Sequence, residues 1–155
     1  MTSLVTIREA KPEEAGDLTR LAVRSKRAWG YDEDFMKRVM PDMIVHPEYL
    51  RAEHGIVAEE SGLPIGYAIV RVDGDAAFLR DLFIEPNRFC QGIGTALFQE
   101  ALQYARERGA RSITLGGDPN AIGFYRRMGM RQIGNEPSSI GGGRMLPVMA
   151  MDICD

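Results

Sequence analysis

Arg88-Phe89-Cys90-Gln91-Gly92-Ile93-Gly94-Thr95-Ala96-Leu97, past the middle of a 155-residue chain, joins a strand-like run to a helical one through two glycines. The run before it, Phe78 to Glu85, ends at Pro86 and Asn87. The run after it repeats Ile93, Leu97, Ala101 and Ala105 every four residues, the period of one helical face. Gly92 and Gly94 carry no Cβ, so a ligand can approach the backbone closely. The unpaired N–H groups and the dipole of a first helical turn then point at it. The expected ligand carries a phosphate or pyrophosphate.

Two common phosphate motifs do not match. A dinucleotide fingerprint needs a third small residue three positions after its second glycine, and that position is Leu97. A P-loop needs Gly-Lys-Ser/Thr after a four-residue gap, and no such string occurs.

The length suits one domain over 1–155, and 45% apolar with 26% charged residues is ordinary for a globular chain. No run reaches the roughly 18 apolar residues of a membrane span, and the N-terminus shows no signal-peptide pattern. A cytoplasmic protein without membrane or nucleic-acid partners is expected, the last because the net charge is −3. Cys90 and Cys154 have no metal-ligand spacing and His46 and His54 do not extend them, so no metal is expected. Cys90 reads as an ordinary thiol, with no histidine near it in sequence.

Working outward, Leu4 to Arg8 reads as a strand. Pro12, Glu13 and Glu14 open a helix whose face is Leu18, Leu21, Ala22, Ser25 and Trp29, with Gly30 as its stop. A second helix is expected from Glu33 to Met40, with Phe35, Met36, Val39 and Met40 inward. From Gly55 the period becomes two. Ile56–Glu59, Ile65–Val72 and Ala76–Glu85 form an antiparallel meander, turning at 61–64 and at Asp73-Gly74. The helix from the glycine turn ends before Gly109, and Ser112–Leu115 follows as a parallel strand. Asp118 caps a helix that starts at Pro119 and runs to Met128. Met130–Ile133 and Leu146–Ile153 close the sheet, Pro147 marking an edge strand or bulge, with a mobile loop over 134–145.

The order is βα(α)βββαβαββ, a mixed α/β, mostly antiparallel sheet of about seven strands flanked by helices. The glycine turn resembles motif A of the GNAT N-acetyltransferases, Gln/Arg-x-x-Gly-x-Gly/Ala, matching at Gln91, Gly92, Ile93, Gly94, Thr95 and Leu97. Phe89 replaces the usual Arg or Gln, with Arg88 one residue early as the candidate for the missing charge. Asp118 to Met130 resembles motif B through Ala121, Phe124, Tyr125 and Gly129, with Asp118 at the usual Asn position and Met130 at the usual Phe. The resemblance runs from Thr6 to Ile153.

It implies an acetyl-CoA-dependent transfer of acetyl to a primary amine by direct attack, without an acyl-enzyme. The turn would hold the pyrophosphate. Leu82, Phe83 and Ile84 on the motif A strand, with Asn120 and Tyr125, would border the pantetheine arm where that strand and the next splay apart. A phenol stays protonated at neutral pH, so Tyr125 suits protonation of the departing thiolate. The attacking amine must be neutral. Asp81, on a strand face with Glu85, is the candidate base, whereas Glu85 reads as a solvated turn residue.

Acceptor binding is expected of Trp29 and Tyr31 in the first interhelical segment and of Arg144, as a carboxylate ligand, in the long loop. Asp32, Glu33 and Asp34 read either as an amine-binding cluster or as an acidic first turn. The acceptor is a small-molecule or protein amine, and homodimers, common in the family, stay open. One rival is a non-catalytic acyl-CoA-binding module. A nucleotide-binding oxidoreductase is disfavoured by Leu97 and by the meander before the loop.

Overall fold

The computed structural model describes residues 4–153, so Cys154 lies outside it. Along the chain run β1 (Val5–Glu9), α1 (Ala15–Arg27), α2 (Glu33–Val39), α3 (Pro47–Ala52), β2 (His54–Glu60), β3 (Leu63–Asp73) and β4 (Ala76–Ile84). Then come α4 (Ile93–Glu107), β5 (Ser112–Gly116), α5 (Ile122–Arg127), β6 (Arg131–Pro137) and β7 (Met145–Asp152). The strands form one seven-stranded sheet ordered β1-β2-β3-β4-β5-β7-β6, antiparallel throughout except for the β4–β5 pair.

Alternation along the strands builds two cores. Ile56, Ala58, Ala68 and Val70 face α4 and α5, while Val57, Tyr67 and Ile69 face α1, α2 and α3. Ile93, Leu97, Ala101 and Ala105 of α4 are all buried, as their spacing requires. Gly66 lets α4 sit directly on β3, because a Cβ there would stand 2.9 Å from Ile84 and 3.1 Å from Leu97.

β4 pairs with β5 only from Ala76 to Phe78, opposite Ser112 to Thr114. Beyond that point β5 follows β7 to Gly116, while β4 follows β3 to Ile84. The register between β3 and β4 skips Arg80, since Val70 pairs with Leu79 and Ile69 with Asp81. This bulge bends β4 away from β5. A wedge opens, with the β5-facing edge of 79–84 left without a strand partner.

Several sequence expectations are corrected. β7 is an interior strand and β6 is the edge. Pro147 is tolerated because its carbonyl accepts from the Gly117 N–H at 3.0 Å, just where β5 has ended. Its missing N–H faces the same side, so no ladder bond is lost. The expected loop over 134–145 shrinks to 138–144, since β6 runs to Pro137. That loop is docked as well: Ser139 Oγ donates to Asp42 at 2.5 Å and Ile140 packs on the α1-side core. Trp29 lies past the end of α1 and is 43% exposed, outside the buried face of Leu18, Leu21, Ala22 and Ser25. α3 had no counterpart in the periodicity, because six residues are too few to show one.

Gly66→Ala should lower stability by about 1–3 kcal/mol through overpacking against Ile84, Leu97 and Ile93. Thermal melting measures this, and an unchanged midpoint would show that α4 can lift without cost.

Candidate active site

A cleft of about 700 Å³ fills the wedge. Its walls are β4 from Leu79 to Ile84, the turn from Arg88 to Thr95, the end of β5 and the residues after it from Leu115 to Asp118, and α5 with Phe124 and Tyr125. At the turn, Gly92 takes φ +82°, a left-handed value that favours glycine. The first bond inside α4 runs from Ala96 N–H to Gly92 O at 3.1 Å. The N–H groups of Ile93, Gly94 and Thr95 therefore precede the helical ladder, no side chain caps them, and the first turn holds no acid. Such a set of donors can cradle an anion.

Two expectations at the turn change. Gly94 is small to admit a neighbour, since a Cβ would lie 3.2 Å from the Phe124 ring. Arg88 is not free for a phosphate. It donates to Glu60 at 2.6 and 2.9 Å and to Gln91 Oε1 at 2.8 Å. Arg127, missed by sequence reasoning, lines the α5 wall and makes no ion pair among the described residues. Its signal, one helical arginine among several, gave no reason to choose it.

Tyr125 and Asp81 sit on opposite faces of the sheet but meet at the wedge. Tyr125 is 7% exposed, packs between Phe98 and Phe124, and its hydroxyl has no hydrogen-bond partner among the described residues. Burial holds the phenol protonated far into alkaline pH, with the charges of Asp81 and Asp118 acting in the same direction. Asp81 Oδ2 accepts from the hydroxyl of fully buried Tyr67 at 3.0 Å. Burial raises the Asp81 carboxyl from 3.8 to about 6, against the opposing pull of Tyr67 and Arg80. Glu85, expected in solvent, forms a two-point ion pair with Arg24 of α1 at 2.6 and 2.8 Å.

Of the three expected acceptor ligands only Trp29 lines the cleft. Tyr31 and Arg144 lie behind it, in a network around Asp118. The Tyr31 hydroxyl donates to Asp118 at 2.9 Å and accepts from Arg144 at 3.0 Å and from Asn120 at 3.1 Å. Lys26, 8% exposed, donates to Asp118 at 2.5 Å. The Arg144 guanidinium lies 4.7 Å from the centre of the Phe35 ring. Asp32 caps α2 through the Phe35 N–H at 2.8 Å and Glu33 pairs with Arg27 of α1 at 3.1 Å, and none of Asp32, Glu33 and Asp34 lines the cleft. Sequence reasoning missed Lys26 as a cleft residue, because its partner Asp118 is 92 positions away.

The acetyltransferase (GNAT) family model matches residues 17–130. The chain belongs to this family. It is 29% identical over 139 residues to an uncharacterized N-acetyltransferase of Methanocaldococcus jannaschii, covering 82% of this chain and 61% of that protein. It is 30% identical over 81 residues to a putative ribosomal protein bS18-alanine N-acetyltransferase of Bacillus subtilis, covering 50% and 54%. The chain thus spans about three fifths or less of the length of these curated relatives. A GCN5-related N-acetyltransferase structure from Rhodopseudomonas palustris superposes with TM-score 0.81 at 23% identity, covering 98% of both chains. PaiA N-acetyltransferase of Thermoplasma acidophilum, solved with coenzyme A, gives 0.74 at 18% identity over 96% of this chain and 99% of that one.

In this GNAT chain Asp81 keeps its proton well above the usual carboxylate range. The folded protein holds its proton up to about pH 6, the unfolded chain only to about 3.9. The stability tied to this proton is therefore full below the lower value and is lost as pH rises through the higher one. Asp81→Asn keeps an acceptor for Tyr67 and removes the charge. It should stabilise the fold by about 2–3 kcal/mol at pH 8 and by little at pH 4. Melting curves at the two pH values measure this, and an equal gain at both would remove the titration argument.

Proposed function

We propose that the chain is an acetyl-CoA-dependent N-acetyltransferase in which a primary amine attacks the thioester directly. The observation that carries this reading is the Tyr125 hydroxyl, protonated and unpartnered, at the wedge where Asp81 approaches from the other face. The cradle of Ile93, Gly94 and Thr95 N–H groups supports a pyrophosphate, with Arg127 as the available cation. The open edge of β4 over 79–84 suits the pantetheine amides, which would take the place of the missing strand partner. Leu82, Phe83, Ile84 and Asn120 line that path, and Gln91 flanks the cradle. The relative named as a putative ribosomal protein bS18-alanine N-acetyltransferase supports an amine as acceptor.

The step divides among these residues. Asp81, ionised above about pH 6, takes the proton of the acceptor ammonium, directly or through water. The nitrogen lone pair adds to the acetyl carbon, the C–S bond breaks, and the thiolate takes the Tyr125 phenolic proton. The new amide nitrogen gives up its second proton to water, Asp81 releases to solvent the proton it took, and Tyr125 regains one from solvent. No acyl-enzyme is needed, and the turn cysteine, Cys90, is exposed. An acyl-CoA-binding module without transfer is an outcome of the test.

Tyr125→Phe keeps the ring packed against Phe98 and Phe124 but removes the proton. Turnover should fall roughly a hundredfold with acetyl-CoA affinity little changed, provided thiolate departure limits the rate. The deficit should shrink for a more acidic leaving thiol. Full turnover in the Phe variant would reduce Tyr125 to packing, and absence of amine-dependent thiol release in the parent chain would favour the binding module.

Gly92→Glu would force a side chain into φ +82° and place like charge on the cradle. Acetyl-CoA at about 100 times its Kd should stabilise the parent fold by about 2.7 kcal/mol, and the variant should lose that shift. Retention of the shift would move the pyrophosphate elsewhere.

A further inference from the structure

We propose that the acceptor is a small amine on an aromatic or other flat apolar body, without a carboxylate. This rests on the transferase reading above and names the substrate class of the same cleft.

The α1-facing side of the wedge is an aromatic wall. Trp29, the only tryptophan, is 43% exposed and stacks on Phe89 with ring centres 5.8 Å apart and planes 21° from parallel. Phe83 shares the cleft with them and packs towards the α1-side core, on the same side of β4 as Asp81 and its partner Tyr67. An exposed stacked pair at a cleft wall offers a flat ligand a third layer, and its π-faces also attract an ammonium group.

The charge inventory excludes an acceptor carboxylate. Lys26 is held by Asp118 at 2.5 Å, Arg80 by Glu53 at 2.8 Å and Arg88 by Glu60 at 2.6 Å. The remaining lining cation, Arg127, is on α5, across the sheet from Trp29. Asp81 is the lining acid that makes no ion pair among the described residues. A carboxylate beside it would meet like charge with no free cation to answer it. A polyamine would need further acids, and Asp118 is already occupied by Lys26 and Tyr31.

Size follows from the cleft itself: about 700 Å³ that also takes the pantetheine arm leaves room for a small acceptor.

The test uses the full chain with saturating acetyl-CoA and thiol release. The acceptors are 2-phenylethylamine, L-phenylalanine, propylamine, spermidine and a tetrapeptide with a free N-terminus. kcat/KM for 2-phenylethylamine should exceed each of the others at least tenfold. Trp29→Ala should collapse the ratio of 2-phenylethylamine to propylamine towards one, mainly through KM, and Trp29→Phe should restore most of it. Equal or better use of phenylalanine, spermidine or the peptide overturns the proposal, as does a Trp29→Ala loss shared by all acceptors. If acetyl-CoA binds and no amine releases thiol, the transferase reading fails by itself. Fluorescence of Trp29 in the CoA-loaded chain then decides the acceptor class. Tighter binding of 2-phenylethylamine than of phenylalanine upholds it, and equal binding overturns it.

Discussion

The parting of β4 from β5 after Phe78 is the constraint on which the site depends. Both strands stay paired on their outer sides, to β3 and to β7, so the sheet remains continuous on either side of the wedge. The bulge at Arg80 turns β4 one way, while the end of β5 at Gly116 lets the chain turn the other way into α5. An open strand edge inside a sheet leaves polar backbone without partners, which is costly unless something else supplies them. The same opening brings the two cores together, so Tyr125 from one face and Asp81 from the other share one cleft.

Around that opening the charged groups are arranged by pairing. Lys26, Arg80 and Arg88 each line the cleft and each is neutralised by a carboxylate from another element. The Lys26–Asp118 pair is well buried, and such pairs are weak sources of stability, because desolvating two ions offsets much of their attraction. Its structural effect is positional. Through Asp118 it joins α1, Tyr31, the start of the α5 segment and Arg144 of the β6–β7 connection. With these cations paired, the unpaired lining charges among the described residues are Arg127 on the α5 side and Asp81, whose hydrogen bond from Tyr67 fixes where its carboxylate points.

The proposed cradle asks for little side-chain chemistry. Its donors are backbone N–H groups made available by the start of α4, and Gly92 provides the left-handed turn that delivers them. The Phe89 departure from the motif is compatible with this, because the lost side-chain charge was never the main donor. Phe89 has a different neighbour, Trp29, which ties the turn to the end of α1.

Local pattern alone determined the strands, helices α1, α2, α4 and α5, the glycine turn and the Asp118 cap, since each rests on a period of two or 3.6 or on a residue at one special backbone position. The glycine-turn residues and Tyr125 could be named from two motif resemblances and Asp81 from strand parity, and the structure brings all of them to one cleft. Tertiary structure alone decided which charges are free. Lys26 meets Asp118 across 92 positions and Arg24 meets Glu85 across 61, and no window of local sequence holds both partners. It also decided that Trp29 lines the cleft while Tyr31 and Arg144 lie behind it, because that depends on where α1 ends and on which loop docks there. β7 entered the interior of the sheet despite Pro147, since the place of a strand follows from its partners rather than its composition. Period and capping act over a few residues, whereas ion pairing and strand order are settled by packing across the whole chain.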